Sequence, residues 1–220
     1  MLYLFANVNF KPGQYNNWQA AYDKLGEYVF ANEPTTQTYY FGIPFDYAHD
    51  VEGTTHMFAF EAYDKRESLY TTHFNSPAMR QFLSDAWPAM STGFDLQHYE
   101  AIGGNLDIQG DSRECGIMHD TLIVCKSPEA RGRVVKRLTA LADSLAGESA
   151  NEGLYSYVGF ECLDNETDCR ILGRWHACED MERTIRKSEV AEFWDAGKEE
   201  DIARIEQRGY IPNGKGWLHR

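Results

Sequence analysis

No run in this 220-residue chain approaches the about 20 consecutive apolar residues that a membrane-spanning helix needs. Positive charge is also scarce: 21 Lys and Arg stand against 34 Asp and Glu, a net charge of −13. Nucleic acid and anionic membrane surfaces attract basic patches, so neither is expected as a partner. The five cysteines, Cys115, Cys125, Cys162, Cys169 and Cys178, are odd in number, include no C-x-x-C pair and all fall in the second half. That argues against a zinc site and a disulfide framework and fits reduced thiols. The opening MLYLFANVNF has no basic segment and meets Asn7 and Asn9 early, so it reads as a first strand rather than a signal peptide. A cytoplasmic location follows as the expectation.

What the chain has is enough apolar material for a packed core, 43% hydrophobic and 14% aromatic residues, and an internal repeat. Lys11-Pro12 after a short apolar strand returns as Lys126-Ser127-Pro128. Phe41-Gly42-Ile43 returns as Val158-Gly159-Phe160, and the helix end Met79–Phe82 returns as Val190–Phe193. Pro12 to Pro128, Gly42 to Gly159 and Phe82 to Phe193 are 116, 117 and 111 residues apart. Nearly constant spacing of three landmarks implies two copies of one unit.

Residues 2–10 alternate, with Leu4, Ala6 and Val8 on one face and Tyr3, Phe5, Asn7 and Asn9 on the other. The apolar face suits packing under a helix; the face of aromatics and amides suits a pocket wall. Tyr15, Trp18, Tyr22, Leu25 and Val29 form the stripe of an amphipathic helix over 13–31. Thr36–Phe45 and Thr54–Tyr63 are strand-like, rich in aromatic and β-branched residues. Asp64 and Glu67 have capping-box spacing, and Ser76-Pro77 is a second helix start, dividing the next helical region into 65–74 and 77–87. Phe94–Ala101 completes a β-α-β-β-α-β order. The second copy reads as strand 117–125, a helix from Pro128 with Val134, Leu138, Leu141 and Leu145, strands 153–163 and 169–177, a helix over 179–195 and a helical stretch near 198–208 before a last segment with Trp217. The expected domains are 1–104 and 116–220, joined by a polar linker over 105–115 that includes Asp111 and Ser112. Each such unit leaves one sheet face open, and two sheets can cover each other face to face.

Residues 60–83, FEAYDKRESLYTTHFNSPAMRQFL, resemble the antibiotic biosynthesis monooxygenase family: the strand end Glu61-x-Tyr63, a capped helix with Leu69, His73-x-x-Ser76-Pro77 and Phe82. Tyr63 stands where that family often has Trp. The likeness extends loosely over 2–101. In the second copy Trp175 falls near the aromatic position, Thr184 falls where His73 would, and no Ser-Pro follows. The resemblance implies an α+β fold, two tandem ferredoxin-like units forming within one chain the dimeric α/β barrel that relatives build from two. It implies a monomer with an internal pseudo-dimer, or a homodimer. It also implies a small-molecule enzyme that oxygenates quinol- or anthrone-like aromatic or polyketide substrates with O2 and without a cofactor.

On that reading Asn7 and His73 are the catalytic candidates. Asn7 matches a functional Asn that haem degraders of the superfamily carry on the first strand, or it only satisfies backbone; its counterpart at the 116-residue offset is Ile123. His73 is a general base near neutral pH, or fixes the helix break. Tyr39, Glu61, Tyr63, Trp87 and Phe94 are the substrate-binding candidates, although each aromatic taken singly reads first as ordinary core. Tyr40 belongs with those aromatics. Glu61 is either an interior acid with a raised pKa or the partner of an arginine such as Arg174. His56 and His98 are strand histidines more at home in hydrogen bonds than on a haem; Arg80 and Asp85 read as surface charges. Two further readings stay open. One is a haem-binding or haem-degrading barrel, although 82–87 holds no His where those relatives place their ligand. The other is a ligand-binding barrel without catalysis.

Overall fold

The alternation of the opening residues becomes β1 (Leu2–Asn9) in the computed structural model, which describes residues 1–107, 113–148 and 153–220. The elements that follow are α1 (Tyr15–Asn32), β2 (Thr36–Pro44), β3 (His56–Tyr63), α2 (Pro77–Ala86) and β4 (Asp95–Asn105). The second copy supplies β5 (Ile117–Cys125), α3 (Pro128–Glu148), β6 (Leu154–Cys162), β7 (Asp168–Trp175), α4 (Cys178–Ile185), α5 (Ser188–Gly197) and β8 (Ile202–Trp217). The hydrogen-bonded strand order is β1-β3-β2-β8-β5-β7-β6-β4, and the α+β tandem expectation holds. Of the 105–115 linker, residues 108–112 lie outside the described residues.

Two compact units divide the chain: Met1–His98 with Asn213–Arg220, and Tyr99–Pro212. These bounds differ from a cut at the linker because Asn213–Arg220 is held on β2. Thr38 Oγ1 donates to the Leu218 carbonyl at 2.8 Å, and the Trp217 and Tyr39 rings lie 5.4 Å apart. Gly216, at φ +74°, comes so close to β2 that a Cβ there would sit 1.9 Å from the Tyr39 carbonyl oxygen. The second unit repeats the arrangement: a Cβ on Gly104 of β4, at φ +83°, would sit 1.9 Å from the Tyr157 carbonyl of β6. Left-handed backbone and backbone contact leave room for glycine alone at both positions. Gly216→Ala should therefore cost about 1–3 kcal/mol, read as a lower urea midpoint; an unchanged midpoint would show that the segment is not seated on β2.

In the first unit β3 pairs antiparallel with β1 and β2. The predicted stripe of α1 is buried, with Trp18 stacked on Tyr22 at 5.4 Å and edge-on to Phe82 of α2 at 5.6 Å. Ser76 caps α2 by accepting the Met79 N–H at 3.0 Å, with Pro77 at the first helical position. Ahead of it the chain makes a π-helical turn over Ser68–His73, where the Phe74 N–H reaches back to the Leu69 carbonyl at 2.9 Å. The wider turn redirects its side chains relative to an α-helix, and His73 is its last residue.

In the second unit β7 pairs with β5 and β6, and Val134, Leu138, Leu141 and Leu145 of α3 are buried as the stripe predicted. Two expectations are corrected. The helix over 179–195 breaks at Arg186-Lys187 into α4 and α5 without a Ser-Pro. The stretch near 198–208 is not helical: β8 begins at Ile202 and pairs with β5, Leu122 opposite Glu206 and Met118 opposite Tyr210. Asp201 explains the change. Buried, it accepts hydrogen bonds from Arg133 at 2.6 Å and Arg137 at 2.5 Å of α3, while its carbonyl accepts from the Lys126 N–H at 2.8 Å. These bonds pin the chain at Asp201, and the alternating residues beyond it enter the sheet.

Candidate functional site

Two alanines make the space for a site. Ala6 of β1 and Ala59 of β3 are register partners on the face of the first unit's sheet that α1 and α2 cover. Side-by-side small residues leave the helices unsupported there, and a cavity of about 540 Å³ results, inside the usual range for ligand sites. Leu4, Ala6 and Val8 form part of its floor; Trp18, Tyr22, Met79 and Phe82 come from the helices. Leu83, Gly93, Phe94 and Trp87, the last 63% exposed, lie at its open end.

Its polar groups are few and gathered at one end. Glu61 and Tyr39 are register partners on β3 and β2. His73 enters from the π-turn, 1% exposed, its ring 5.6 Å from Tyr39 and 5.8 Å from Tyr63. The His73 Nδ1 lies 2.8 Å from Oε2 of Glu33, itself 2% exposed at the end of α1. The Tyr63 phenol donates to Glu61 Oε2 at 2.6 Å.

Burial pushes the Glu61 carboxyl above its ordinary value; His73 and the Tyr63 hydrogen bond pull it down, and Glu33 pushes it up again. Burial, then the Glu61 and Glu33 charges, hold the Tyr39 and Tyr63 phenols well above theirs, and burial does the same to Tyr22. The phenols therefore stay neutral and can donate but not abstract a proton, which leaves His73 and the carboxylates as proton acceptors. The indole N–H of Trp18 and the hydroxyl of Tyr22 are buried with no hydrogen-bond partner among the described residues. Both residues line the cavity, and unsatisfied donors there favour a ligand that carries oxygen.

The raised Glu61 pKa has a stability consequence. A carboxyl whose folded pKa lies above its unfolded value costs the folded state free energy once pH exceeds the unfolded value. Glu61→Gln should raise the denaturation midpoint at pH 7. The gain should close as pH falls through the ordinary carboxylate range, where wild type is protonated in both states. A gain that persists at pH 3 would mean that charge is not its cause.

The structure brings Tyr39, Glu61, His73, Trp87 and Phe94 together around the cavity. Tyr63 adjoins it through Glu61. Asn7 requires correction: it lies on the opposite face, with Tyr3, Phe5, Phe58 and Phe60, and is not among the lining residues. The amide-bearing face is not the pocket wall: the volume lies over the small apolar residues. Strand register also moves its counterpart: Leu2 and Ile117 hold equivalent positions, opposite Tyr63 and Trp175, so Asn7 corresponds to Leu122 rather than Ile123. Glu61 is partnered by Tyr63, not by Arg174, whose guanidinium donates to Ser156 at 3.0 Å within the second unit. His56 bonds Asn9 and His98 bonds Tyr70, both away from the cavity.

Glu33, Trp18 and Tyr22 were missed as site residues. The two aromatics look like ordinary stripe positions. Glu33 does leave a signal, because an acid at a helix C-terminus opposes the helix dipole.

The second unit shows the same place closed. Gly173 and Trp175 take the register positions of Glu61 and Tyr63, and Thr184 stands 111 residues after His73. The Trp175 indole lies over Gly173 and donates to Thr184 Oγ1 at 3.0 Å, leaving about 40 Å³.

The sequence model of the antibiotic biosynthesis monooxygenase family matches residues 1–84. No curated protein matches the sequence. Among solved structures, a candidate monooxygenase from Fusobacterium nucleatum is similar over 100% of this chain and 96% of its own, at TM-score 0.78 and 11% identity. A candidate monooxygenase from Lactobacillus acidophilus covers 99% and 95%, at 0.76 and 8%. An anthrone oxidase-like protein covers 98% and 92%, at 0.63 and 9%. At these identities the likeness establishes a shared fold over the full tandem length. Among the described residues no helix is long and apolar enough to cross a membrane.

Proposed function

We propose, from the antibiotic biosynthesis monooxygenase domain over residues 1–84, that the chain oxygenates an electron-rich aromatic of the anthrone or quinol type in the first unit's cavity, using O2 and no cofactor. The observation that carries this reading is the buried His73, paired with the Glu33 carboxylate, in a cavity whose other lining groups are Glu61, apolar side chains and neutral phenols. A proton acceptor in a dry aromatic pocket is what the chemistry asks of the protein, because the substrate anion supplies the electrons. The oxygenase-like names of the three fold relatives agree with it.

In this reading the anthrone ring lies between Trp18 and Tyr22 on the helix side and the Ala6–Ala59 floor. His73 takes the proton from the activated CH2, and the anion is delocalised onto the ring oxygen, toward which a neutral phenol or indole N–H can donate. The anion gives electrons to O2, a carbon–oxygen bond forms at the former CH2, and loss of water leaves the quinone. CH2 and O2 become C=O and H2O, so the equation closes without another oxidant.

Purified protein with 1,8-dihydroxyanthrone in air should form the quinone and consume one O2 per turnover, saturably and above the buffer rate. No rate above buffer with this probe or a panel of quinols would reject the reading. A saturable 1:1 Soret shift on haemin titration would instead favour the haem alternative.

A further inference from the structure

Glu33 is expensive where it stands. It is buried, it follows the last turn of α1 where the helix dipole opposes an acid, and its Oε1 has no hydrogen-bond partner among the described residues. Its Oε2 meets His73 Nδ1 at 2.8 Å and the Thr36 hydroxyl at 3.5 Å. A carboxylate only accepts hydrogen bonds, so with Glu33 as the acceptor the shared proton belongs to Nδ1 and the ring presents Nε2 as its free lone pair.

The main chain around Glu33 is held with equal care. Its N–H bonds the Val29 carbonyl at 2.9 Å, and its carbonyl accepts from Thr36 N–H at 3.0 Å and from Arg220 Nη1 at 2.6 Å. The Arg220 guanidinium also lies over the Phe30 ring at 5.0 Å. Within the same unit, Trp217 packs against Tyr39, whose ring faces His73. The Asn213–Arg220 segment thus fixes both Glu33 and Tyr39 from outside the cavity.

We infer that Glu33 is the positioning residue that sets the tautomer and orientation of His73, and that Arg220 holds Glu33 in place for that task. This rests on the reading of His73 as the base, and it adds a residue that does not line the cavity. The groups that face the imidazole are Glu33 from the end of α1, Glu61 and Tyr63 from β3, Tyr39 from β2 and Phe74 beside it. Removing the Glu33 charge removes the one that is hydrogen-bonded to the ring.

The test is nitrogen-15 NMR of the histidines in the full chain, with His73 assigned through His73→Gln. Wild type should show a protonated Nδ1 and an unprotonated Nε2. Glu33→Gln should lose that tautomer preference, Glu33→Asp should recover part of it, and Arg220→Ala should weaken it with the carboxylate still present. In the anthrone assay Glu33→Gln should lower kcat about 10- to 100-fold, as loss of a partner that orients a functional imidazole does. KM should be little changed, because Glu33 does not line the cavity. An unchanged tautomer in Glu33→Gln, or in Glu33→Asp and Arg220→Ala if the first does not fold, overturns the proposal. The NMR result needs no substrate, so it stands or falls separately from the proposed reaction.

Discussion

His73→Gln should lower kcat/KM for 1,8-dihydroxyanthrone about 10²–10⁴-fold, the contribution of a positioned general base. Glutamine keeps a donor for Glu33 and fills much of the imidazole volume, so the protein should remain folded, with its near-ultraviolet dichroism unchanged. His73→Ala should lose as much activity and also stability, because it leaves the Glu33 carboxylate buried and unpaired at a site 1% exposed. Added imidazole should restore part of the alanine variant's rate and none of the glutamine variant's, whose side chain occupies the space. A base is the role that imidazole replaces; a purely structural His73 at the helix break would show no rescue. Activity within threefold of wild type in the glutamine variant would remove His73 from the chemistry.

The contrast between His73 and Asn7 shows what the sequence made legible. Periodicity placed Leu4, Ala6 and Val8 on one face and Asn7 on the other, and both placements hold in β1. Which face carries the cavity was not readable, because it depends on a pair in different strands. Ala6 meets Ala59 only once β1 and β3 are in register. Ser76-Pro77 announced the helix break that delivers His73, since a cap and a Pro act locally. The π-turn that aims the ring has no comparable local signature. Glu33 lies 40 residues from His73, and the two meet only in the folded unit. The same limit explains β8: the composition of 198–208 suits a helix, but Asp201 is pinned by Arg133 and Arg137 of α3, far back in the chain. Local rules therefore gave the elements, and the partners of single buried charges gave what those rules missed.

Glu61→Gly combined with Tyr63→Trp should block the polar end of the cavity beside His73 and abolish turnover, with quinol binding weakened. The second unit supplies the argument. There the indole of Trp175 occupies the space over Gly173, and a Cβ at Gly173 would lie 1.9 Å from it. Trp and Gly are thus one device, and neither works without the other. Tyr63→Trp alone meets the Glu61 side chain, so its indole cannot swing over β3, and the expected outcome is a strained, less stable protein that still binds. Glu61→Gly alone removes a buried carboxyl and enlarges the cavity. Together the indole takes the space over position 61 at the polar end of the cavity, a group that burial disfavours is gone, and the indole N–H can bond His73 as Trp175 bonds Thr184. The double variant should be more stable than the sum of the single changes predicts, by about 0.5–3 kcal/mol for residues in contact, and inactive. The second copy would then be a unit that traded its cavity for packing, and Glu61 with Tyr63 the pair that keeps the first one open. Strictly additive stabilities, or a double variant that still turns over the anthrone, would separate the two cavities' histories and leave the 40 Å³ remnant in the second unit unexplained by this exchange.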